Sequence, residues 1–384
     1  MNKRDFLKYI TGLCASTGII ALFHNNNKAY GRLCKSDIIN DYLENSEWKW
    51  KKEALFYEVA NNVVYCKLCP NLCVLKNGGR GLCKARVNHS GMLYSHSYGN
   101  PCSLYNDPVE KKPLFHFLPG SRTLSFAVAG CNLHCLNCQN WAISQIKPED
   151  AYNYDLTPSQ IVDKAITAGS KSISYTYSEP TTFYEYVADT SKLSHTKGLK
   201  NIYVSNGYIN EKPLRYLAKH LDAANIDLKS FSKEIYNKLN SGTLQPVLDT
   251  LKILKEENVW IEITNLVIPQ WTDDMKMISS MCEWLVQNNF QNYPLHFSRF
   301  FPVYKLTNIP STPLATLEKA RNIAIGKGMK YVYIGNVPNT NYENTICPEC
   351  KKILVERKGF SILTNNIVNG RCRFCNEKIP GIWI

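Results

Sequence analysis

The chain has 384 residues, with 45 Lys+Arg against 32 Asp+Glu, a formal charge of +13, and 15 cysteines. At 44% hydrophobic and 20% charged it has the composition of a globular protein with a sizeable core, which excludes a disordered tail. Its cysteine content, 15 of 384 or about 4%, lies well below the ~8–10% of a short disulfide-stapled scaffold; the positive balance would by itself suit nucleic acid or a membrane surface.

Residues 1–30 read as a targeting segment. Lys3, Arg4 and Lys8 precede a mildly apolar run from Tyr9 to Phe23, too short and too polar for a confident spanning helix. Lys3-Arg4-Asp5-Phe6-Leu7-Lys8 resembles a twin-arginine export signal with Lys in place of the first arginine, which points to export or membrane tethering; a cytoplasmic enzyme with an N-terminal helix is the alternative. Residues 31–60 are charged and amphipathic and predict a helical linker. Residues 61–105 form a four-cysteine module, 106–340 a series of βα units, and 341–384 a second four-cysteine module.

In the central series, strands are expected at Leu124–Ala129, Ser172–Tyr177, Asn201–Ser205, Asn225–Lys229, Trp260–Val267, Leu295–Phe300 and Tyr331–Gly335. Thr157-Pro158 and Thr312-Pro313 are helix start signals, and Gly169 is a stop. Such alternation implies a parallel sheet with helices outside. The expected fold is α/β, a partial or nearly closed TIM-type (βα) barrel with chemistry at the C-terminal strand ends.

Eleven of the cysteines fall into three sets. Cys66, Cys69, Cys73 and Cys83 are spaced C-x2-C-x3-C-x9-C. Cys347-Pro348-Glu349-Cys350 and Cys372-Arg373-Phe374-Cys375 form two knuckles, near the spacing of a four-thiolate zinc site and predicting a zinc ribbon. Cys131, Cys135 and Cys138 follow the first strand as C-x3-C-x2-C. Three thiolates on one loop can bind a [4Fe–4S] cluster and leave one iron open; a zinc site completed by His134 is the other reading. The N-terminal four suit either zinc or an auxiliary iron–sulfur cluster, with a disulfide pair as the alternative if the protein is exported.

The loop Gly130-Cys131-Asn132-Leu133-His134-Cys135-Leu136-Asn137-Cys138, its place after the first strand and the βα series that follows resemble the radical S-adenosylmethionine (SAM) superfamily. The run from Asp107-Pro108 through Glu110-Lys111-Lys112-Pro113-Leu114-Phe115-His116-Phe117-Leu118-Pro119-Gly120 to Cys138-Gln139-Asn140 resembles the AmmeMemoRadiSam-system radical SAM proteins, relatives of the pyruvate formate-lyase activating enzymes. The resemblance implies that SAM binds the open iron and is cleaved by one electron to methionine and a 5′-deoxyadenosyl radical, which abstracts hydrogen from a substrate. It also implies a low-potential electron donor and, as partners, the other proteins of that system.

Other site residues follow from the same resemblance. Tyr177-Ser178-Glu179-Pro180 is similar to the Gly-Gly-Glu-Pro turn, which assigns Glu179 to the SAM ammonium, although Tyr and Ser replace the glycines. Ser205 and Asn206 end the third strand, where ribose or carboxylate would lie. Asp227 and Lys229 match an Asp-x-Lys that lines the pocket; as a bare sequence feature the pair could equally be structural. Ile268 stands where an apolar adenine contact is expected, and Gln270 where glycine is usual. Arg299 is a candidate carboxylate or substrate anchor. His116, His134 and His296 read as packing or hydrogen-bonding residues rather than catalytic bases. A zinc-ribbon binding module without catalysis is the competing class. No long basic run or nucleic-acid motif accompanies the cysteines, so nucleic acid is not the expected partner.

Overall fold

The computed structural model describes residues 48–338 and 340–383, which fall almost wholly within one of the chain's two units, Trp50–Ile384, the other being Met1–Lys49. The expected signal segment lies outside the described residues. The helical linker does so up to residue 47. Beyond it, the expectation is corrected: Lys52–Glu53 and Tyr57–Ala60 are strands. Their helix-like patterning yields to cross-strand pairing with Met92–Ser95 and with Val63–Cys66, because strand preference depends on tertiary partners.

The centre is an eight-stranded sheet in sequential order: β1 (Ser103–Pro108), β2 (Arg122–Ala127), β3 (Ser172–Tyr175), β4 (Lys200–Ser205), β5 (Ala223–Asp227), β6 (Trp260–Val267), β7 (Leu295–Arg299) and β8 (Val332–Gly335). β2 to β8 are parallel and correspond to the seven expected strands, shifted by at most a few residues. β1 is additional to them and runs antiparallel to β2, pairing Ser103 with Ala127 and Pro108 with Arg122. β1 and β8 are the two edges, so hydrogen bonding does not close the sheet.

Helices α1 (Pro158–Thr167), α2 (Tyr184–Thr196), α3 (Glu211–Ala218), α4 (Lys233–Asn240), α5 (Gln245–Glu256), α6 (Met275–Gln287) and α7 (Leu314–Gly326) connect the parallel strands. α1 starts as its sequence predicts: Thr157 accepts from Gln160 N while the Gln160 side chain accepts from Thr157 N, a reciprocal cap with Pro158 at N1. Its buried Ile161, Val162 and Ala165 share a core with Leu124 and Phe126 of β2.

Residues 109–121 plug the N-terminal end of the sheet. The buried Glu262 carboxylate on β6 accepts from Phe115 N at 2.9 Å, His116 N at 2.7 Å and His296 Nε2 at 2.6 Å. Asn225 Nδ2 donates to Pro113 O at 2.8 Å. The C-terminal module, with strands Thr345–Ile346, Ile353–Lys358 and Ser361–Asn365, rests on the same plug. Its buried Arg357 donates to Phe115 O at 2.8 Å, and Ile382 N donates to His116 O at 2.7 Å. Both His116 and His296 are thus held by hydrogen bonds, as expected.

Candidate active site

β2 runs out at Ala127, and the cysteine loop begins at Gly130, at its C-terminal end. Gly130 has φ +119°, and a Cβ there would lie 2.7 Å from Cys83 O, so glycine is required by both conformation and space. The loop is pinned from several elements. Gly130 N donates to Ile143 O at 3.0 Å, and His134 N and Leu136 N donate to Asn240 O and Leu239 O of α4. Leu136 also packs with Ile268, Phe300 and Leu306.

Two asparagines supply donors to the cysteine sulfurs. Asn240 Nδ2 lies 3.2 Å from Cys135 Sγ and Asn206 Nδ2 3.7 Å from Cys131 Sγ. Burial, then the Glu179 carboxylate and Cys135, push the Cys131 thiol well above its usual range. Burial likewise pushes Cys135 and Cys138 up, with Lys229 opposing in each case. Three crowded thiols of this kind become thiolates together when a cation sits between them, so the donor set fits an iron–sulfur cluster. His134 Nδ1 is 3.0 Å from Gln145 Oε1, and Gln145 donates to Leu133 O, which fixes the ring beside the loop.

Glu179, just beyond β3, is buried. Its Oε1 accepts from Thr181 N (3.0 Å), Thr181 Oγ1 (2.6 Å) and Ser205 Oγ (2.7 Å), and its Oε2 from Asn206 N at 2.9 Å. Burial raises its carboxyl despite these donors. Three of the residues expected around SAM, Glu179, Ser205 and Asn206, therefore form one network, and Asn206 joins it to the loop through Asn132 Oδ1 at 2.9 Å. Asp227 and Lys229 are ion-paired at 2.7 Å. β5 ends at Asp227, so Lys229 lies just past the strand and not on it. Burial works against the charge on Lys229, but Asp227 and the Cys135 thiol hold it above the usual lysine range. Ile268 is buried in the apolar cluster that receives Leu136. Arg299 donates to Thr312 O at 2.9 Å.

The two departures from glycine fall at left-handed positions: Tyr177 has φ +67° and Gln270 φ +67°. Tyr177 is held there by its side chain. Its hydroxyl donates to Asp107, Lys112 Nζ sits 4.5 Å above its ring, and Lys112 Nζ donates to Asp107 at 2.6 Å. Its carbonyl accepts from Asn140 Nδ2 at 2.6 Å. Burial works to raise the Asp107 carboxyl, but Lys112 and Tyr177 more than reverse this and hold it at about 2. Asn132, Asn240 and Thr181 are site residues that sequence reasoning does not single out. The position of Asn132 directly after the first cysteine is its only signal, and Asn240 has none.

At the C-terminus, Cys347, Cys350, Cys372 and Cys375 have their sulfurs within 4.8 Å of one another, with Cys347–Cys375 at 3.6 Å and Cys350–Cys372 at 3.7 Å. Sulfurs ~2.3 Å from a tetrahedral ion are separated by ~3.8 Å, so this set fits a single metal ion. All thirteen described cysteines are free thiols.

Fold and site together define a parallel α/β protein with a three-cysteine loop at the C-terminal end of its first parallel strand. Residues 127–281 match the family model for the radical SAM superfamily. An uncharacterized protein of Methanocaldococcus jannaschii is 46% identical over 331 residues, covering 85% of this chain and 98% of that protein. Pyruvate formate-lyase 1-activating enzyme of Escherichia coli K12 is 25% identical over 164 residues, covering 41% of this chain and 65% of the enzyme. Among solved structures, the Streptococcus suis protein SuiB bound to S-adenosylmethionine aligns with 59% of this chain and 53% of its own, at 15% identity and a TM-score of 0.43. Residues 127–281 are therefore a radical SAM domain, which implies a [4Fe–4S] cluster and SAM. The non-catalytic zinc-ribbon alternative finds no support in these likenesses.

Proposed function

We propose that this chain is a radical SAM enzyme, related to the pyruvate formate-lyase activating oxidoreductases, that takes hydrogen from a protein or small-molecule substrate. The observation that carries this reading is the meeting of Cys131, Cys135 and Cys138 with the Glu179–Ser205–Asn206 network and the Asp227–Lys229 pair. Cys131, Cys135 and Cys138 would hold the cluster, which would supply the electron for reductive cleavage of SAM. The chain's own groups do the positioning. Asn206 and Asn240 donate toward the cysteine sulfurs, which favours their charged forms. Glu179 Oε1 is saturated by three donors, whereas Oε2 takes one and is available to an ammonium. Asp227 and Lys229 offer paired charges to the cofactor's carboxylate and ribose. The plug over residues 109–121 keeps water from the opposite end of the sheet.

The run 107–120 supports membership of the AmmeMemoRadiSam type, with the other proteins of that system as partners and a low-potential protein as electron donor. For the C-terminal four cysteines we read zinc, on the sulfur separations, and a structural role. For residues 1–30 we keep export or tethering, which N-terminal sequencing of protein from its native cell tests. The enzyme reading is tested by anaerobic reconstitution with iron and sulfide, followed by SAM and dithionite. Formation of 5′-deoxyadenosine that disappears in Cys131→Ala supports it; a protein that binds no iron at this loop overturns it.

A further inference from the structure

We propose that Cys66, Cys69, Cys73 and Cys83 hold a second cluster of the [4Fe–4S] type, packed against the loop that carries the first. Spacing leaves the metal open at this set, but the structure supplies a size argument. All four cysteines line one cavity of about 10 Å³, whose remaining wall combines Leu68 and Leu75 with Arg86, Asn71 and Asn132. The space between the four sulfurs is therefore not filled by the sulfurs themselves. Zinc held ~2.3 Å from four sulfurs draws them into mutual contact and leaves no free volume at the centre. The C-terminal set has this contracted form, with sulfurs within 4.8 Å of one another; among the described residues it is the one such group. The N-terminal four do not form such a contracted group and keep an opening between them, which suits the larger core of four irons and four sulfides.

The surroundings suit a charged, closed cluster. Burial pushes the Cys69, Cys73 and Cys83 thiols up. The buried Arg86 places Nη1 3.6 Å from Cys66 Sγ while its other nitrogen pairs with Glu185 of α2. A hydrogen bond to a ligand sulfur is one of the means by which a protein sets a cluster's potential. The same module touches the first site directly. Asn71 Nδ2 donates to Asn132 O at 2.8 Å, Asn132 also lines the cavity, and Cys83 O closes on Gly130. With four thiolates and no open iron, this second cluster would not bind SAM.

The test uses the full chain purified anaerobically after iron–sulfide reconstitution, as wild type, as the Cys131→Ala/Cys135→Ala/Cys138→Ala variant, and as that variant with Cys69→Ala and Cys73→Ala added. The triple variant should keep about four iron per chain and show a cubane Mössbauer spectrum, and the further two substitutions should remove that iron. One zinc or a single iron at this set in the triple variant overturns the proposal, as does a metal-free disulfide. If the triple variant does not fold, wild-type iron decides: about eight per chain supports a second cluster and about four overturns it. Because the decisive iron is measured without Cys131, Cys135 and Cys138, failure here is distinguishable from failure of the enzyme reading.

Discussion

Tyr177 stands in a left-handed conformation that glycine adopts freely, and its ring is moored by Asp107 and Lys112. Backbone of this kind costs a non-glycine residue on the order of 1 kcal/mol, so the mooring must offset it. Tyr177→Phe should lower stability by ~1–2 kcal/mol through the loss of a charge-assisted hydrogen bond, read as a shift in the urea midpoint, and should weaken SAM binding by calorimetry. Asp107→Asn should produce the same pair of effects if the tether is what matters. Glu179 makes a sharper case. Its two oxygens accept four donors in a buried site, so Glu179→Gln turns one acceptor into a donor facing another donor. A loss of ~1–3 kcal/mol is expected, together with SAM affinity lowered at least tenfold. Unchanged SAM binding in a folded Gln variant would remove Glu179 from the site. The sequence makes the residue types at these positions legible, but not the sharing: that Glu179, Ser205 and Asn206 form a single network depends on β3 and β4 being neighbours.

Among elements, the seven parallel strands can be read because burial on both sides makes them short apolar runs set between capped helices. β1 cannot. Ser103-Leu104-Tyr105-Asn106-Asp107-Pro108 mixes turn formers with an exposed tyrosine, and only its edge position, antiparallel to β2, tolerates the terminal proline. Residues 52–60 mislead in the opposite direction, since helix-like patterning is overridden by pairing. The three-cysteine loop is visible from spacing, yet its seat on the N-terminal module is not, because contact between Cys83 and Gly130 leaves no local pattern. Gly130→Ala tests that seat. A methyl group 2.7 Å from a carbonyl oxygen must displace one partner, and the left-handed backbone adds strain. The variant should lose ~2 kcal/mol or more of stability and hold less iron at the Cys131 loop after identical reconstitution.

For the molecule as a whole, His116 ties plug, sheet and C-terminal module together. Its Nδ1 donates to Pro380 O at 2.7 Å and its Nε2 accepts from the Tyr333 hydroxyl at 2.7 Å, which requires a neutral ring. Burial holds it at about 4, against the partial support of Glu262 for a charge. An unfolded histidine titrates near 6.5, so the unfolded chain binds the extra proton first as pH falls. The contribution of the neutral ring is whole above about pH 6.5 and lost progressively toward pH 4, up to roughly 3 kcal/mol. Denaturant midpoints measured from pH 7.5 to 5 should fall in the wild type and flatten in His116→Asn. An equal slope in both would assign the pH dependence elsewhere.

The bridge between Phe117 and Ile382 joins positions far apart in the chain, on either side of the whole βα series. Contacts of such long sequence separation form late, since the closure entropy must be met before they contribute. During synthesis, the three-cysteine loop and every strand of the sheet are available well before Ile382 arrives. The C-terminal module therefore docks on the plug only after every strand of the sheet is available. Refolding from denaturant should consequently show a slow final phase reported by Trp260 and Trp383, both close to His116, after the helices have regained their circular dichroism.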